Sequence, residues 1–322
     1  MPLLARFLFR INFVPVTVVT ALLLLSNFFL LTHAPAQQAS SPPAARPDAM
    51  LENPIPNDQL AFLSGYAGRP TKELLKDKAF GRMMKAVIPK TTYHYGRDMS
   101  VNEAMDNALD GSKLPVMLRD GRYLTVSGEQ GPYLHGRGFV WFDLQEGIAM
   151  GGFYFTPTNG EPTPTLTIYS KQLAGDALAM SELPAAFVQD LYQWEATAKV
   201  PPVTPRYFIP QSGKKYVLVH DEDFCWHPEN TPAPDPRVCE SMNAQAADAD
   251  MNAAYFMKQT HNAANATAWM LGPDQVAWIE LRDRSCAGPA GLGCRIRMTR
   301  ERTRVLIGGP PAPRSRPLRA SR

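Results

Sequence analysis

Val116–Val126 reads VMLRDGRYLTV: an apolar run, then Arg119-Asp120-Gly121-Arg122, then Tyr123-Leu124-Thr125-Val126. Apolar, β-branched and aromatic residues around an Asp-Gly pair are the sequence pattern of a β-hairpin with a tight turn. The same two-residue period runs outward from it. Phe139-Val140-Trp141-Phe142 leads through a Gln145-Glu146-Gly147 turn into Ile148–Phe155, and Leu166-Thr167-Ile168-Tyr169 adds another strand. Tyr207-Phe208-Ile209 and Tyr216–Val219, on either side of Gln211-Ser212-Gly213-Lys214, read as a final hairpin. An antiparallel sheet from about 113 to 220 follows. Gly151-Gly152 in mid-strand marks a bulge or a close approach of another backbone. The loop from Thr156 to Thr165 holds three prolines with Asn159-Gly160 at its bend. Asn159, Gly160 and Glu161 form a candidate rim for a partner, against the plainer reading of a stiff hairpin loop.

Helical patterns flank the strands. Gln59–Asn107 carries a weak helical period through Leu74, Leu75, Met83, Met84 and Val87. Leu183–Ala198 carries another, with Val188, Leu191, Tyr192 and Glu195 at helical spacing and Pro184 near its start. Further helices are expected beyond Pro228–Pro236. The class is therefore α+β: an antiparallel β-sheet domain with flanking helices, followed by a disulfide-stapled helical module.

The termini read differently. Arg6 and Arg10 precede an uncharged, largely apolar run from Val14 to Leu31, followed by Ala34-Pro35-Ala36. That is the layout of a secretory signal with a small-x-small cleavage site. The run, roughly eighteen residues, also reaches the minimum for a single-pass anchor. Residues 1–36 are thus a signal peptide or a membrane anchor, and both readings place the rest outside the cytoplasm. Residues 37–58 are rich in Pro, Ala and Ser and read as a tether. The mainly β domain is expected over 59–222, the helical module over 223–309, and a Pro/Arg-rich disordered tail over 310–322.

Four cysteines, Cys225, Cys239, Cys286 and Cys294, all lie in the last third. In an exported chain an even count argues for two disulfides. Local pairing closes two short loops. A rival pairing of Cys239 with Cys286 suits an antiparallel helix hairpin built around Tyr255 and Trp278. No C-x-x-C knuckle supports zinc.

The chemistry is sparse. His220-Asp221-Glu222-Asp223, with His227 behind, is the densest group of ligand types, but its spacing matches neither a calcium loop nor a zinc-hydrolase helix, and it reads as a solvated strand end. There is no phosphate loop, no nucleophile elbow and no carboxylate pair to single out. No catalytic residue, cofactor or metal is assigned, and the chain is read as a non-enzyme. The net charge of +3 does not call for nucleic acid. A membrane enters only if the N-terminal segment is retained.

The last third carries the most specific pattern. Asp248, Met251, Asn252 and Tyr255 fall on one stripe of a helix, and Val276, Ile279 and Asp283 on one stripe of a second, with apolar members of both free to pack together and Arg282 or Asp283 to bond Asn252. The motifs are A-D-x-x-M-N-x-x-Y (Ala247–Tyr255), Q-x-x-W-x-x-x-R-D-x-x-C (Gln275, Trp278, Arg282, Asp283, Cys286) and T-x-x-R-x-x-x-L (Thr299, Arg302, Leu306). Together they resemble the LprI-like lysozyme-inhibitor family of bacterial envelope proteins over about residues 239–307. Met251 stands where the family has Leu, the Cys286–Cys294 loop is shorter, and Thr260–Gly272 departs from a plain charged segment. The resemblance implies a periplasmic protein that binds and blocks a lysozyme or another peptidoglycan-cleaving enzyme. Two other readings compete: an envelope scaffold without inhibitory activity, and an envelope hydrolase centred near His220–Asp223. The Arg-rich helix at Arg295–Arg304 would slow encounter with a cationic lysozyme.

Overall fold

The computed structural model describes residues 52–111, 114–129, 136–173, 179–262, 270–288 and 291–308. The apolar run Val14–Leu31, the tail 310–322 and the middle of the Thr260–Gly272 connection lie outside the described residues. The chain is α+β: a seven-stranded, mostly antiparallel sheet with helices, then C-terminal helices carrying two disulfides.

The elements begin with two short helices, α1 (Asn57–Leu60) and α2 (Thr71–Leu74), and a longer α3 (Lys78–Val87). Asp77 caps α3 by accepting the Ala79 amide at 2.7 Å. A two-stranded ribbon, β1 (Thr92–Tyr95) and β2 (Arg97–Ser100), turns at Gly96 and feeds α4 (Val101–Leu109), capped by Ser100. The weak helical expectation for 59–107 missed this ribbon. Tyr93 and Tyr95 alternate inward onto Phe153 and Phe155, and this period of two overrides helix there.

The sheet follows in order β3 (Met117–Arg119), β4 (Tyr123–Glu129), β5 (Arg137–Asp143), β6 (Ile148–Phe155), β7 (Thr165–Tyr169), β8 (Arg206–Ile209) and β9 (Tyr216–Val217). The Asp-Gly hairpin is present. Asp120 and Gly121 both have positive φ, and the Arg122 amide donates to the Arg119 carbonyl. All pairings are antiparallel except β7 with β8, whose parallel register needs a crossover. That crossover is α5 (Ala185–Ala198). The ladder passes through Gly151-Gly152 without a bulge. The pair is a close-approach point: a Cβ on Gly151 would sit 2.4 Å from Tyr169 Oη, and one on Gly152 would sit 2.7 Å from the Thr167 carbonyl oxygen.

Both sheet faces are covered, so β6, and β5 between its ends Arg137 and Asp143, are apolar at successive positions rather than alternating with polar residues. Val140, Phe142, Phe153 and Phe155 face α3, α4 and the ribbon, packing with Phe80, Met84, Tyr95 and Met105. Phe139, Trp141, Met150 and Ile168 face α5 and meet Phe187, Leu191 and Trp194. The inward face of α5 is therefore Phe187, Asp190, Leu191, Trp194 and Glu195, while Tyr192 is exposed. The stretch read as the end of a tether is stitched to this domain. The Glu52 amide donates to the Gln172 carbonyl and the Ile55 amide to the Gly147 carbonyl.

The module consists of α6 (Pro236–Asn262), α7 (Leu271–Ser285) and α8 (Gly291–Ile307). Asp235 accepts the Arg237 amide ahead of Pro236, the arrangement that starts α6. The expected hairpin of α6 with α7 is replaced by a pair of α6 with α8, and α7 lies against that pair. Met251, Ala253, Ala254 and Leu306 pack with Tyr207 and Val217, so α6 closes the β8–β9 end of the sheet. Among the described residues no helix is long and apolar enough to cross a membrane.

Candidate functional site

In the module the family-type residues converge on α7. Gln275, Trp278 and Arg282 recur at three and four residues and form its inward stripe. The Trp278 ring is flanked by two guanidinium groups, Arg282 at 5.2 Å and Arg302 at 5.7 Å from its centroid. Arg302 donates from Nε to Gln275 Oε1 at 2.9 Å and from Nη2 to Asp274 Oδ2 at 2.5 Å. Gln275 Nε2 turns to Met251 Sδ on α6. Arg282 reaches Asp283 at 3.0 Å, and Asp248 on α6 and Thr299 on α8 at 3.4 Å each. Burial pushes the Asp248 carboxyl up, against the pull of Arg282 and Arg295. This is a polar clamp holding α7 to α6 and α8.

Two of the residues named from the sequence stand outside the clamp. Asn252 is exposed and has no bond to Arg282 or Asp283, and Tyr255 is half-buried among the apolar residues at the β8–β9 end. The stripe expected to pack, Val276, Ile279 and Asp283, is also misplaced. Val276 is 57% exposed while Gln275 is 8% exposed. The reason is chemical. The inward side of α7 is mixed: Leu271 and Trp278 pack on the apolar cluster, Gln275 and Arg282 meet polar side chains of α6 and α8, and Val276 and Leu281 are left exposed. The i, i+3, i+7 spacing of Gln275, Trp278 and Arg282 was the signal for that face.

The disulfides resolve the open pairing as Cys225–Cys239 and Cys286–Cys294. The first ties the Pro-rich stretch to the start of α6, and the second staples α7 to α8. Together with the absence of free cysteines they fit an oxidising compartment outside the cytoplasm.

The His220–Asp223 group is part seam and part solvated strand end: His220 is buried and Glu222 half-buried, while Asp221 and Asp223 are exposed. Each member has its own partner, so the carboxylates diverge. His220 is buried, and its Nδ1 lies 2.6 Å from Asp250 Oδ1 on α6 while its backbone amide donates to Asp250 Oδ2 at 2.8 Å. Facing a carboxylate, Nδ1 carries the proton. Asp221 accepts from the Ser181 hydroxyl and amide, and Asp223 accepts from Asn243 on α6. Glu222 accepts from Arg206 at 2.7 Å and from the Tyr192 hydroxyl. Burial pushes Glu222 up, but the Arg206 charge and its hydrogen bonds outweigh this and hold it below the ordinary value. Glu195, on the other side of Arg206, is raised by burial. Among the described residues no three His, Cys, Asp or Glu side chains are placed to hold a metal ion.

Of the candidate rim only Glu161 turns inward, while Asn159 and Gly160 are exposed. Glu161 is buried and pairs with Lys215 Nζ at 2.6 Å, and Asn159 bonds to Glu161 through both its amide nitrogen and oxygen. Burial lowers the Lys215 ammonium despite the opposing pull of Glu161, and its Nζ also sits 4.0 Å from the centroid of the Tyr207 ring. Thr158, next in the loop, meets His94 Nε2 at 2.9 Å, and His94 Nδ1 meets Asp98 at 2.9 Å. This chain pins the loop to the β1–β2 ribbon. Gly160 stays at the surface with open space around it.

A cavity of about 340 Å³ lies between α5 and the β3–β4 edge, lined by Leu114, Met117, Leu118, Tyr123 and Trp194. Its charges are mutually satisfied. Arg119 donates to Asp190 at 2.7 and 3.0 Å, and Trp141 Nε1 donates to the same carboxylate at 2.7 Å.

Against this geometry, residues 225–306 match the family model described as Lysozyme inhibitor LprI. No curated protein and no solved structure matches the chain. The matched family is one of inhibitors rather than enzymes, and the match leaves the β domain uncovered. The clamp, the two disulfides and the α6–α8 pair all fall inside the matched span, and the chain therefore carries an LprI lysozyme inhibitor domain as its C-terminal segment, residues 225–306.

Proposed function

We propose that this protein is an exported binding protein that docks on a peptidoglycan-cleaving enzyme through its C-terminal domain and blocks it. The observation that carries the reading is the LprI match over a module whose motif residues form a closed polar clamp. A clamp of that kind holds a surface rigid and performs no chemistry. The disulfides, with the Arg6/Arg10 and Val14–Leu31 pattern at the N-terminus, support residence in the periplasm, free or held by that segment. The β domain serves as the platform, joined to the module through His220–Asp250 and the Tyr207–Met251 contacts.

The module, residues 225–306, is neutral overall, and its basic groups are concentrated on α8. Arg295, Arg297 and Arg304 are exposed on α8, so a strongly cationic lysozyme would be repelled and an enzyme with an acidic approach surface attracted. The test is turnover of a cell-wall suspension by a muramidase in the presence of excess mature protein. Activity falling with added protein is expected for at least one muramidase. Unchanged activity for both a cationic lysozyme and an acidic bacterial muramidase would refute the reading.

A further inference from the structure

Helix α3 carries a face that the fold does not use. Phe80, Met83, Met84 and Val87 form its buried stripe. Lys78, Arg82 and Lys85 fall at i, i+4 and i+7 on the opposite side, and all three are exposed. The helix contains no acidic residue. Lys72 and Lys76 precede the row and Lys90 follows it, each exposed. Residues 69–90 carry seven Lys or Arg against Glu73 and Asp77, a larger excess than the +3 of the whole chain.

Exposed charges are ordinarily balanced by interspersed charges of the other sign. The other basic helix shows this. On α8 Arg304 pairs with Glu301 at 3.1 Å, Arg302 reaches Asp274 at 2.5 Å, and Arg295 lies 4.0 Å from Asp283. Among the described residues Lys78, Arg82 and Lys85 make no ion pair. Two carboxylates feel the row, Asp77 through Arg82 and Asp106 through Lys85, and both are bonded elsewhere. Asp77 caps α3 and accepts from the Tyr66 hydroxyl, and Asp106 accepts from the Asn102 amide.

The end of the row opens onto a depression of about 780 Å³, lined among others by Lys85, Lys90, Thr91, Thr92, Ser100 and Asn102. Two ammonium groups, three hydroxyls and an amide, with no carboxylate in the lining, suit a phosphate. Lys171 adds a third cation beside it. Its Nζ donates to the Ala86 carbonyl at 2.9 Å, and burial, then the charge of Lys90, lowers its ammonium.

A single small anion would meet one or two of these cations. The row runs over two turns of a convex helix, roughly 10 Å, and only an array of separated anions meets all of it. Anionic lipid headgroups form such an array and attract exposed Lys and Arg. Export removes the chain from nucleic acid. The chain also enters the domain beside this face: Asn53, Ile55, Pro56 and Gln59 share a groove with Met83, Ala86, Val87 and Lys171. About twenty residues separate that entry from the uncharged run Val14–Leu31, and a flexible link of that length spans roughly 25 Å. A link held at a membrane would keep this face next to it.

We propose that the outward face of α3, with the depression at its end, docks the domain on anionic lipid headgroups. This rests on the export of the chain and adds to the inhibitor reading a second surface with a second partner.

The test is cosedimentation of the chain from Gln37 to Arg322, which keeps the folded unit and lacks the apolar run, with vesicles of phosphatidylcholine alone or mixed equally with phosphatidylglycerol. Three variants are compared with it. Lys78→Gln/Arg82→Gln/Lys85→Gln removes the row, Arg295→Gln/Arg297→Gln/Arg304→Gln removes the same charge from α8, and Lys78→Arg/Lys85→Arg keeps the charge on α3. The substituted side chains are exposed, so circular dichroism and melting should match the parent. Binding should require phosphatidylglycerol and weaken with salt. The α3 Gln variant should partition at least about tenfold more weakly, and the other two should bind as the parent does. Equal binding to phosphatidylcholine alone, binding to neither vesicle, or loss with the α8 variant but not the α3 variant would overturn the proposal. So would tighter binding to soluble polyglutamate than to vesicles at equal charge, which would assign the face to an acidic polymer. Muramidase inhibition by the same protein is read separately, so either reading can fail alone.

Discussion

The central strands of the sheet domain and helix α7 of the module are held by different kinds of contact. In the sheet, strands β5 and β6 are apolar on both faces, and a layer of helices seals each side. In the module, α7 turns Gln275 and Arg282 inward and leaves Val276 and Leu281 in water. The first arrangement draws its stability from apolar area removed from water. The second depends on covalent staples and on polar bonds whose partners must all be present. One region is held mainly by apolar packing, and α7 in the other by a mixture of packing, polar bonds and a disulfide. Mutation should therefore register differently in the two.

The largest effect should come from the sheet. Phe153 is fully buried and its ring meets those of Tyr93, Tyr95 and Phe155, with the Tyr93 centroid at 4.6 Å. Phe153→Ala should cost about 3–5 kcal/mol, read as a lower denaturation midpoint with an unchanged slope. A loss below about 1 kcal/mol, within the range of ordinary surface substitutions, would show that the apolar core does not dominate and would erase the contrast.

The seam between the two regions comes next. Asp250→Ala leaves the buried His220 amide and Nδ1–H without their acceptor. Two orphaned donors, at about 1–3 kcal/mol each, should destabilise the protein by about 2–5 kcal/mol. Hydrogen exchange should rise at the β8–β9 end and along α6 before it rises in β5 and β6. Uniform acceleration across the whole sheet would mean that module and sheet open as one unit.

The seam also shows where sequence reading stopped. The strand period around Val116–Val126 and Phe139–Phe155 was legible because a two-sided sheet needs apolar residues at nearly every position. The two cysteine pairs were legible as disulfides, but not their pairing, because three connectivities share one sequence. His220–Asp250 was invisible: its partners are thirty residues apart, and each alone looks like a surface polar residue. The ribbon at Thr92–Ser100 was missed although Tyr93 and Tyr95 alternate, because four residues per strand are too few to outweigh helical neighbours. On α7 the apolar stripe was assigned inward by the usual rule. The inward face instead mixes Leu271 and Trp278 with Gln275 and Arg282, and the reason lay in the groups of α6 and α8 that it meets.

Removing the staples tests the module alone. Cys225–Cys239 closes a separation of 14 residues and Cys286–Cys294 one of 8. Chain-entropy arguments give about 3 and about 2.5 kcal/mol respectively. Replacing either pair with Ser should lower stability by up to that amount. The local consequence should be inverted: loss of the smaller loop, which ends α7, should increase hydrogen exchange in α7 more. Equal effects of the two pairs on α7 would argue that the polar clamp alone holds the helix.

Acid separates the two regions by a smaller margin. Asp143 in the sheet is buried, which pushes its carboxyl up. The Arg122 hydrogen bonds and the amides of Gln145 and Glu146 outweigh that and hold it below the ordinary value of about 4. A carboxyl depressed on folding contributes stability above its unfolded pKa and loses it as pH falls through the folded one. Asp248 in the module is raised by burial, so the folded state binds its proton first and acidification through that window favours the folded form. Its side chain is half exposed, so solvent screens the effect. Lowering the pH from neutral to below about 4 should therefore loosen the β4–β5 hairpin around Asp143 before it loosens the Asp248 end of the clamp. Residue-resolved exchange or carboxyl titration by NMR would show this order. If the Asp143 carboxyl titrates above that of Asp248, the electrostatic difference between sheet and module has the opposite sign from the one their bonding implies.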